Sequence, residues 1–224
     1  MEQFENDESI RVIVIKGEGK VFSAGGDVKE MLGYVEDGSD CAAYFRAPLA
    51  TFGRMILAIR NVPKPVLTAM HGAVAGVAFN LMLAADFRIA DENTRFTQAF
   101  IKLGLSPDGG GTWWLPRLIG LARASELAML PTVLDAHKAL EWGLINKVVT
   151  AGNFDCEVKA FADRLASAPT NAIAQIKALM NQSFDNSLTD HIEIERLAQV
   201  DNAAHYNFEE GLRAFVEKRE PKFR

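Results

Sequence analysis

The sequence predicts an α/β protein: a spiral of strand–loop–helix units over residues 1–150, followed by a C-terminal helical subdomain over residues 151–224. Three observations carry this. An apolar strand, a glycine-bearing loop and a helix recur three times in the first half of the chain. Beyond Asn153 the residues read as helix throughout. No low-complexity linker separates the two halves.

The first unit is "RVIVIKGEGKVFSAGGDVKEM", with Val12 to Ile15 as a buried strand and Asp27 as the cap of a helix over "VKEML". The segment "LATFGRMILAIR" that follows reads as a helix. "PVLTAMHGAVAGVAFNLMLAAD" is the second unit, and "FRIADENTRFTQAFIKLGLSPDGGGTWWLPRLIG" is the third. Strand–loop–helix repetition implies parallel strands, and successive turns of similar design stack as a short spiral whose period is too irregular for a solenoid. After residue 120, "ARASELAMLP" and "DAHKALEWGL" are helices, and "INKVV" is a last short strand. In "NFEEGLRAFVEKR", Asn207 is the expected N-cap, with Glu210 three residues on. Phe208, Leu212, Phe215 and Val216 share one face of that helix, which must be buried on the spiral or on another subunit.

Composition excludes several classes. Of 224 residues, 49% are apolar and 24% charged, as in ordinary globular domains. A formal net charge of −5 argues against nucleic acid or anionic membrane as partner. The longest apolar stretch, "GAVAGVAFNLMLAA", is too short for a membrane span. The acidic start, "MEQFENDESI", is unlike a secretory or transit peptide, so a cytoplasmic location is expected. Cys41 and Cys156 are the only cysteines, which argues against a disulfide framework and fits a reducing compartment. No His/Cys/Asp cluster has metal-ligand spacing, so no metal is expected.

A glycine-bearing loop that opens a helix presents uncrowded backbone N–H groups, which bind anions or stabilise an oxyanion. The loops "GEGKVFSAGG" and "GAVAG" lack both G-x-x-x-x-G-K-[ST] and a G-x-G-x-x-G between strand and helix, so the motifs do not support nucleotide phosphate as the anion. On the residues alone, close packing of helix on strand explains the glycines as well. Asp108 likewise reads two ways. "PDG" is a common turn, and an aspartate there caps the following helix; the alternative is an acid/base group on a loop with few side chains around it.

"VFSAGGDVKEM", "KPVLTAMHGAVAGVAFNLMLAADFRIAD", "KLGLSPDGGGTWWLPRLIG" and "AHKALEWGLINKVV" lie in the order and spacing that resemble the enoyl-CoA hydratase/isomerase (crotonase) superfamily. The ending "EEGLRAFVEKREPKF" is similar to that family's last helix, so the resemblance covers nearly the whole chain. In motif it is closest to the enoyl-CoA isomerases, including the ring-epoxide isomerase type of the phenylacetyl-CoA pathway. The resemblance implies a crotonase-like spiral that acts on acyl-CoA thioesters, with coenzyme A as part of the substrate and no separate cofactor. It also implies a homotrimer or homohexamer. Family members begin with a strand pair ahead of the "RVIVIKG" strand that is missing here, so an exposed sheet edge is expected.

The resemblance also implies roles for individual residues. The N–H groups of Gly26 and Val77 would hold the thioester oxygen as it becomes an enolate; the family more often has glycine or alanine at the second position. The two glutamates of the family's hydratases fall on Asn80 and Phe100, neither of which does acid/base chemistry. Several isomerases of the family instead carry one acid/base at the position of Asp108, and moving a double bond needs no more than one. Ala24, Phe100 and Trp113 are expected to contact the acyl thioester, and Phe215 and Lys218 the coenzyme A. Asp86 reads as structural, and His71 as a hydrogen-bonded core histidine. A halobenzoyl-CoA dehalogenase of the family uses an aspartate at the Asp108 position as nucleophile, together with a histidine in the helix before the second loop. "LATFGRMILAIR" has none. Hydration, or thioester binding without turnover by a shortened relative, are the alternatives to isomerisation.

Overall fold

The computed structural model describes residues 2–224. In chain order the elements are α1 (Glu2–Glu5), β1 (Ile13–Lys16), α2 (Val28–Glu36), α3 (Cys41–Asn61), β2 (Val66–Met70), β3 (Ala73–Ala75), α4 (Val77–Ala84), β4 (Phe87–Asp91), β5 (Arg95–Thr97), a 3₁₀ turn Phe100–Leu103, and α5 (Gly111–Met129). Then come β6 (Leu134–Asp135), α6 (Ala136–Glu141), β7 (Lys147–Val149), a second 3₁₀ turn Ala151–Asn153, α7 (Phe154–Ala166), α8 (Thr170–Gln182), α9 (Leu188–Ala203) and α10 (Tyr206–Glu217).

The chain divides into two compact units. One comprises Val14–Arg60 and Val66–Val158 and holds the spiral. The other comprises the segment up to Ile13, Asn61–Pro65 and Lys159–Arg224. Residues 151–158 therefore group with the spiral, and residues near the start of the chain group with the C-terminal helices.

In the spiral unit the chain alternates between two sheets. β1, β2, β4 and β7 form one in that order; β3, β5 and β6 form the other. β2 pairs β4 in parallel with Leu67 opposite Phe87, and β3 pairs β5 in parallel with Ala73 opposite Arg95. β4 pairs β7 in parallel, while β5 and β6 are antiparallel. Two successive turns, β2–β3–α4 and β4–β5–α5, each lay one strand on each sheet before the helix, the spiral that the repeated pattern predicts. β2 is buried at every position, as expected of an interior parallel strand. Against it and the other interior strands pack α4 and α5, around Phe79, Met82, Leu83, Phe96, Leu115 and Leu127.

The first strand departs from expectation. It spans Ile13–Lys16 rather than 12–15, and only Ile13 is buried, with Val14 38% exposed. Among the described residues it has a single neighbour in the sheet, so one of its edges lacks a strand partner there, and its side chains alternate in exposure. α5 is broken at Gly120, whose backbone is non-helical (φ 75°, ψ 161°), so the segments "TWWLPRLI" and "ARASELAM" are two helical runs.

In the C-terminal unit, α8 packs on α9 and α9 on α10. The cap of α10 is His205, not Asn207: its Nδ1 accepts the Asn207 N–H at 3.1 Å. The Asn207 side chain is used elsewhere. It donates to Asn171 Oδ1 at 2.7 Å and to the Arg224 carbonyl at 2.9 Å, and it accepts the Arg224 N–H. Phe208, Leu212, Phe215 and Val216 do share a face, but within this chain they stay 50%, 54%, 84% and 72% exposed. No helix among the described residues is long and apolar enough to cross a membrane.

Candidate active site

Two glycine loops meet because their strands are stitched together. Ser23 bridges Val74 of β3 in parallel, with Ser23 N donating to Ala73 O at 3.1 Å and Ala75 N to Ser23 O at 3.0 Å. Gly25–Gly26 and Gly76–Val77 therefore leave the sheet side by side. A Cβ on Gly25 would stand 2.9 Å from Ala75 O, so the glycine admits a backbone approach that a side chain would block. Gly76 caps α4 at φ 55°, ψ −125°, and supplies no side chain to the helix opening. The Val77 N–H is left without a partner among the described residues, and so is that of Gly26. The close-packing reading of the glycines therefore holds at Gly25, and the two N–H groups beside it have no acceptor among the described residues.

The third loop supplies the carboxylate. Gly109 and Gly110 both adopt positive φ (52° and 83°), and Gly110 is the cap of α5. Asp108 is therefore not a helix cap; its side chain makes no capping bond, and its carbonyl accepts the Gly111 N–H at 2.9 Å. A Cβ on Gly109 would lie 2.2 Å from Phe52 Cε1, so the loop lies flat on the Phe52 ring. Asp108 is half-buried, and its Oδ1 is buried without a hydrogen-bond partner. Burial pushes its carboxyl above the ordinary carboxylate range, and the neighbouring Asn80 amide opposes this.

Ala24, Gly26, Val77, Phe100 and Asp108, all expected site residues, line one cavity of about 880 Å³. Asp108 is the only carboxylate among the described residues lining it; Cys41, Tyr44 and Arg46 are the other titratable ones. Most of the remaining wall is apolar.

Trp113 does not line this cavity, contrary to expectation. It is 36% exposed, under the Arg117 guanidinium at 3.9 Å and edge-on to Trp114. Phe215 and Lys218 belong to the C-terminal unit, both at the end of α10. Phe215 is 84% exposed, and Lys218 takes a left-handed conformation (φ 55°) as the helix's C-cap.

Other residues take the structural roles expected of them. Asp27 caps α2 by accepting the N–H groups of Lys29 and Glu30. Asp86 pairs with Arg60 at 2.9 Å and accepts the Val66 N–H at 2.8 Å. His71 is hydrogen-bonded as expected, its Nε2 3.1 Å from Gly19 O, but it is half-buried and not a core residue. Asn80 is fully buried and Phe100 nearly so, at 7% exposure.

The sequence reading missed the outer wall. Met31 of α2 and Tyr44, Phe45, Leu49 and Phe52 of α3 line the cavity. Tyr44 Oη donates to Glu30 Oε2 at 3.0 Å and ties the two helices together. Phe45, Leu49 and Phe52 recur at helical spacing, and that stripe was the available signal. Among the described residues no group of three or more His, Cys, Asp or Glu is arranged to hold a metal ion.

The site is thus an apolar cavity lined by one carboxylate and by two residues, Gly26 and Val77, whose N–H groups have no partner among the described residues. Comparison with known proteins gives the class. The enoyl-CoA hydratase/isomerase family model matches residues 1–224, and the chain belongs to that family. It is 39% identical over 219 residues to trans-2-decenoyl-[acyl-carrier-protein] isomerase of Streptococcus mutans, covering 98% of this chain and 82% of the relative. To 1,2-epoxyphenylacetyl-CoA isomerase of Escherichia coli it is 36% identical over 227 residues, covering 100% and 84%. The crystal structure of an enoyl-CoA hydratase from Polaromonas sp. JS666 superposes with a TM-score of 0.92 at 39% identity, covering 100% of this chain and 86% of that one.

Proposed function

We propose that the protein isomerises the double bond of an unsaturated acyl thioester through an enolate, with Asp108 as its one acid/base. The observation that carries this is the carboxylate count: the described wall of the cavity has one, Asp108, and its proton affinity is raised by burial. A base of raised pKa is a stronger base towards a carbon acid, provided that it is ionised at the working pH.

The Gly26 and Val77 N–H groups would donate to the thioester oxygen. Asp108 takes a proton from the carbon next to the carbonyl of a 3-enoyl thioester, and the electron pair delocalises into a dienolate held at its oxygen by the two donors. The same carboxyl then returns the proton at the far end of the dienolate, giving the conjugated 2-enoyl thioester. Loss of one such donor costs about 3 kcal/mol of transition-state stabilisation. Two isomerases among the relatives support this reading. Hydration needs a second acid/base, and the two positions at which the family's hydratases carry glutamates here hold a buried amide and a phenyl ring.

The rest of the reading follows the family. Phe215 and Lys218 contact coenzyme A, the apolar face of α10 packs on a neighbouring subunit in a trimer or a pair of trimers, and the enzyme works in the cytoplasm without an added cofactor. Mass spectrometry of the product in water tests the reaction class. Isomerisation leaves the mass of a 3-enoyl-CoA unchanged. A product of a 2-enoyl-CoA heavier by one water, formed at a comparable rate, would establish hydration instead.

A further inference from the structure

We infer that Asn80 is a positioning residue that seats the Asp108 loop, and that it must be a neutral amide to do so; the inference rests on Asp108 being the acid/base.

The argument starts from two fully buried amides. Asn80, on α4, is 0% exposed, and Gln98, just after β5, is 1% exposed. Gln98 Nε2 donates to Asn80 Oδ1 at 2.9 Å, and Asn80 Nδ2 donates to the Asp108 carbonyl at 2.8 Å. The first bond fixes the direction of the second. With Oδ1 occupied by Gln98, the NH₂ must face the loop. The loop closes down on this amide, because a Cβ on Gly111 would lie 2.4 Å from Asn80 Oδ1 and 2.7 Å from its Cγ. The Asp108 carbonyl thus receives two donors, Asn80 Nδ2 and Gly111 N, which together fix the backbone that carries the carboxyl.

Charge at position 80 is excluded by the same network. Gln98 Oε1 and Asp108 Oδ1 are both buried acceptors without a partner. The substitution Asn80→Asp would add a third acceptor, remove the donor to the loop, and place a negative charge beside Asp108. The amide also acts on the Asp108 carboxyl, whose proton affinity is raised by burial and lowered by Asn80, with no charged side chain contributing. The titratable groups facing the site from α3 are Cys41, Tyr44 and Arg46; α4 presents none.

Asn80→Ala, Asn80→Asp and Gly111→Ala test this, with Asp108→Asn run in parallel. In Gly111→Ala the added methyl pushes the amide without removing a polar group. Each of the three should lower kcat on a 3-enoyl-CoA by on the order of 10- to 100-fold, with KM changed far less, as for a misplaced reacting group. In full-length protein labelled with ¹³C-carboxyl aspartate, the Asp108 resonance of Asn80→Ala should titrate at higher pH than in the wild type. The acid limb of kcat should move with it. Wild-type kcat and an unmoved Asp108 titration in both Asn80→Ala and Gly111→Ala would overturn the inference while leaving the isomerase reading intact. Undiminished turnover in Asp108→Asn would overturn the isomerase reading itself. If Asn80→Ala fails to fold, the kcat of Gly111→Ala decides alone.

Discussion

Asp108 combines two properties that sequence spacing cannot specify: a half-buried carboxyl with an oxygen unpartnered among the described residues, and a position on the wall of an apolar cavity that Gly26 and Val77 also line. Its raised proton affinity has a consequence for stability. Where burial raises a carboxyl's pKa, the folded state binds the proton more tightly than the unfolded chain, so stability falls as pH rises through the interval between the two values. At neutral pH ionised Asp108 is therefore a destabilising group, and Asp108→Asn should raise the melting temperature while abolishing turnover. A lower melting temperature would mean that the carboxylate is stabilised by contacts that burial does not outweigh. For catalysis the sign is opposite: kcat/KM should rise with pH through an acid limb lying above the ordinary aspartate range, measured on wild-type enzyme.

At the scale of elements, the loops and caps carry the site. Gly109 rests on Phe52 at positive φ, so Gly109→Ala meets both backbone strain and a ring contact. It should cost about 1–3 kcal/mol in chemical denaturation, the usual range for overpacking, and should lower activity with it. Asp27 caps α2 with two hydrogen bonds, and α2 buries no residue. Asp27→Ala should therefore fray α2, at about 1 kcal/mol, visible as faster amide exchange over residues 28–36. In the C-terminal unit, the Arg219 guanidinium and the Lys222 N–H hold the Glu210 carboxyl down at about 2. A depressed carboxyl contributes stability that is fully present above its unfolded value and lost as pH falls through the folded one. The turn from Arg219 to Lys222 should stay docked until pH approaches about 2, a titration that NMR shifts of Glu210 report.

Much of this element layout was legible in the sequence, for physical reasons. β2 is buried along its length and reads as a continuous apolar run; the loops carry glycines because backbones touch there, as at Gly25 and Ala75 O. The cap at Asp27 followed from residue type alone. Less legible were features set by tertiary context. β1 reads as buried from its valines and isoleucines, but it lies on the sheet edge. Trp113 sits in the motif, yet it does not line the cavity. Asn207 looks like a cap because its type favours caps, but its amide is engaged with Asn171 and Arg224, and His205 takes the role. The α3 wall and the Gln98–Asn80–Asp108 chain join segments far apart in sequence, which no local pattern reveals.

At the scale of the whole molecule, the α10 face is an unfilled contact. Four large apolar side chains at 50–84% exposure on one helix are more than an isolated chain comfortably presents to water. Sedimentation should give a trimer or a multiple of it, and Phe215→Asp should shift that distribution toward smaller species. A wild-type protein monomeric at micromolar concentration would contradict the trimer.

The central claim is that one carboxylate on a glycine loop moves a proton across an enolate. Its most direct test is the rate at which a 3-enoyl-CoA becomes the conjugated 2-enoyl thioester, followed by absorbance, in wild type and Asp108→Asn side by side, with thioester binding measured on both. The account predicts turnover in the wild type, none in Asp108→Asn, and similar binding in each. Equal turnover in the two proteins, or a wild type that binds the thioester and leaves the double bond where it was, would contradict it.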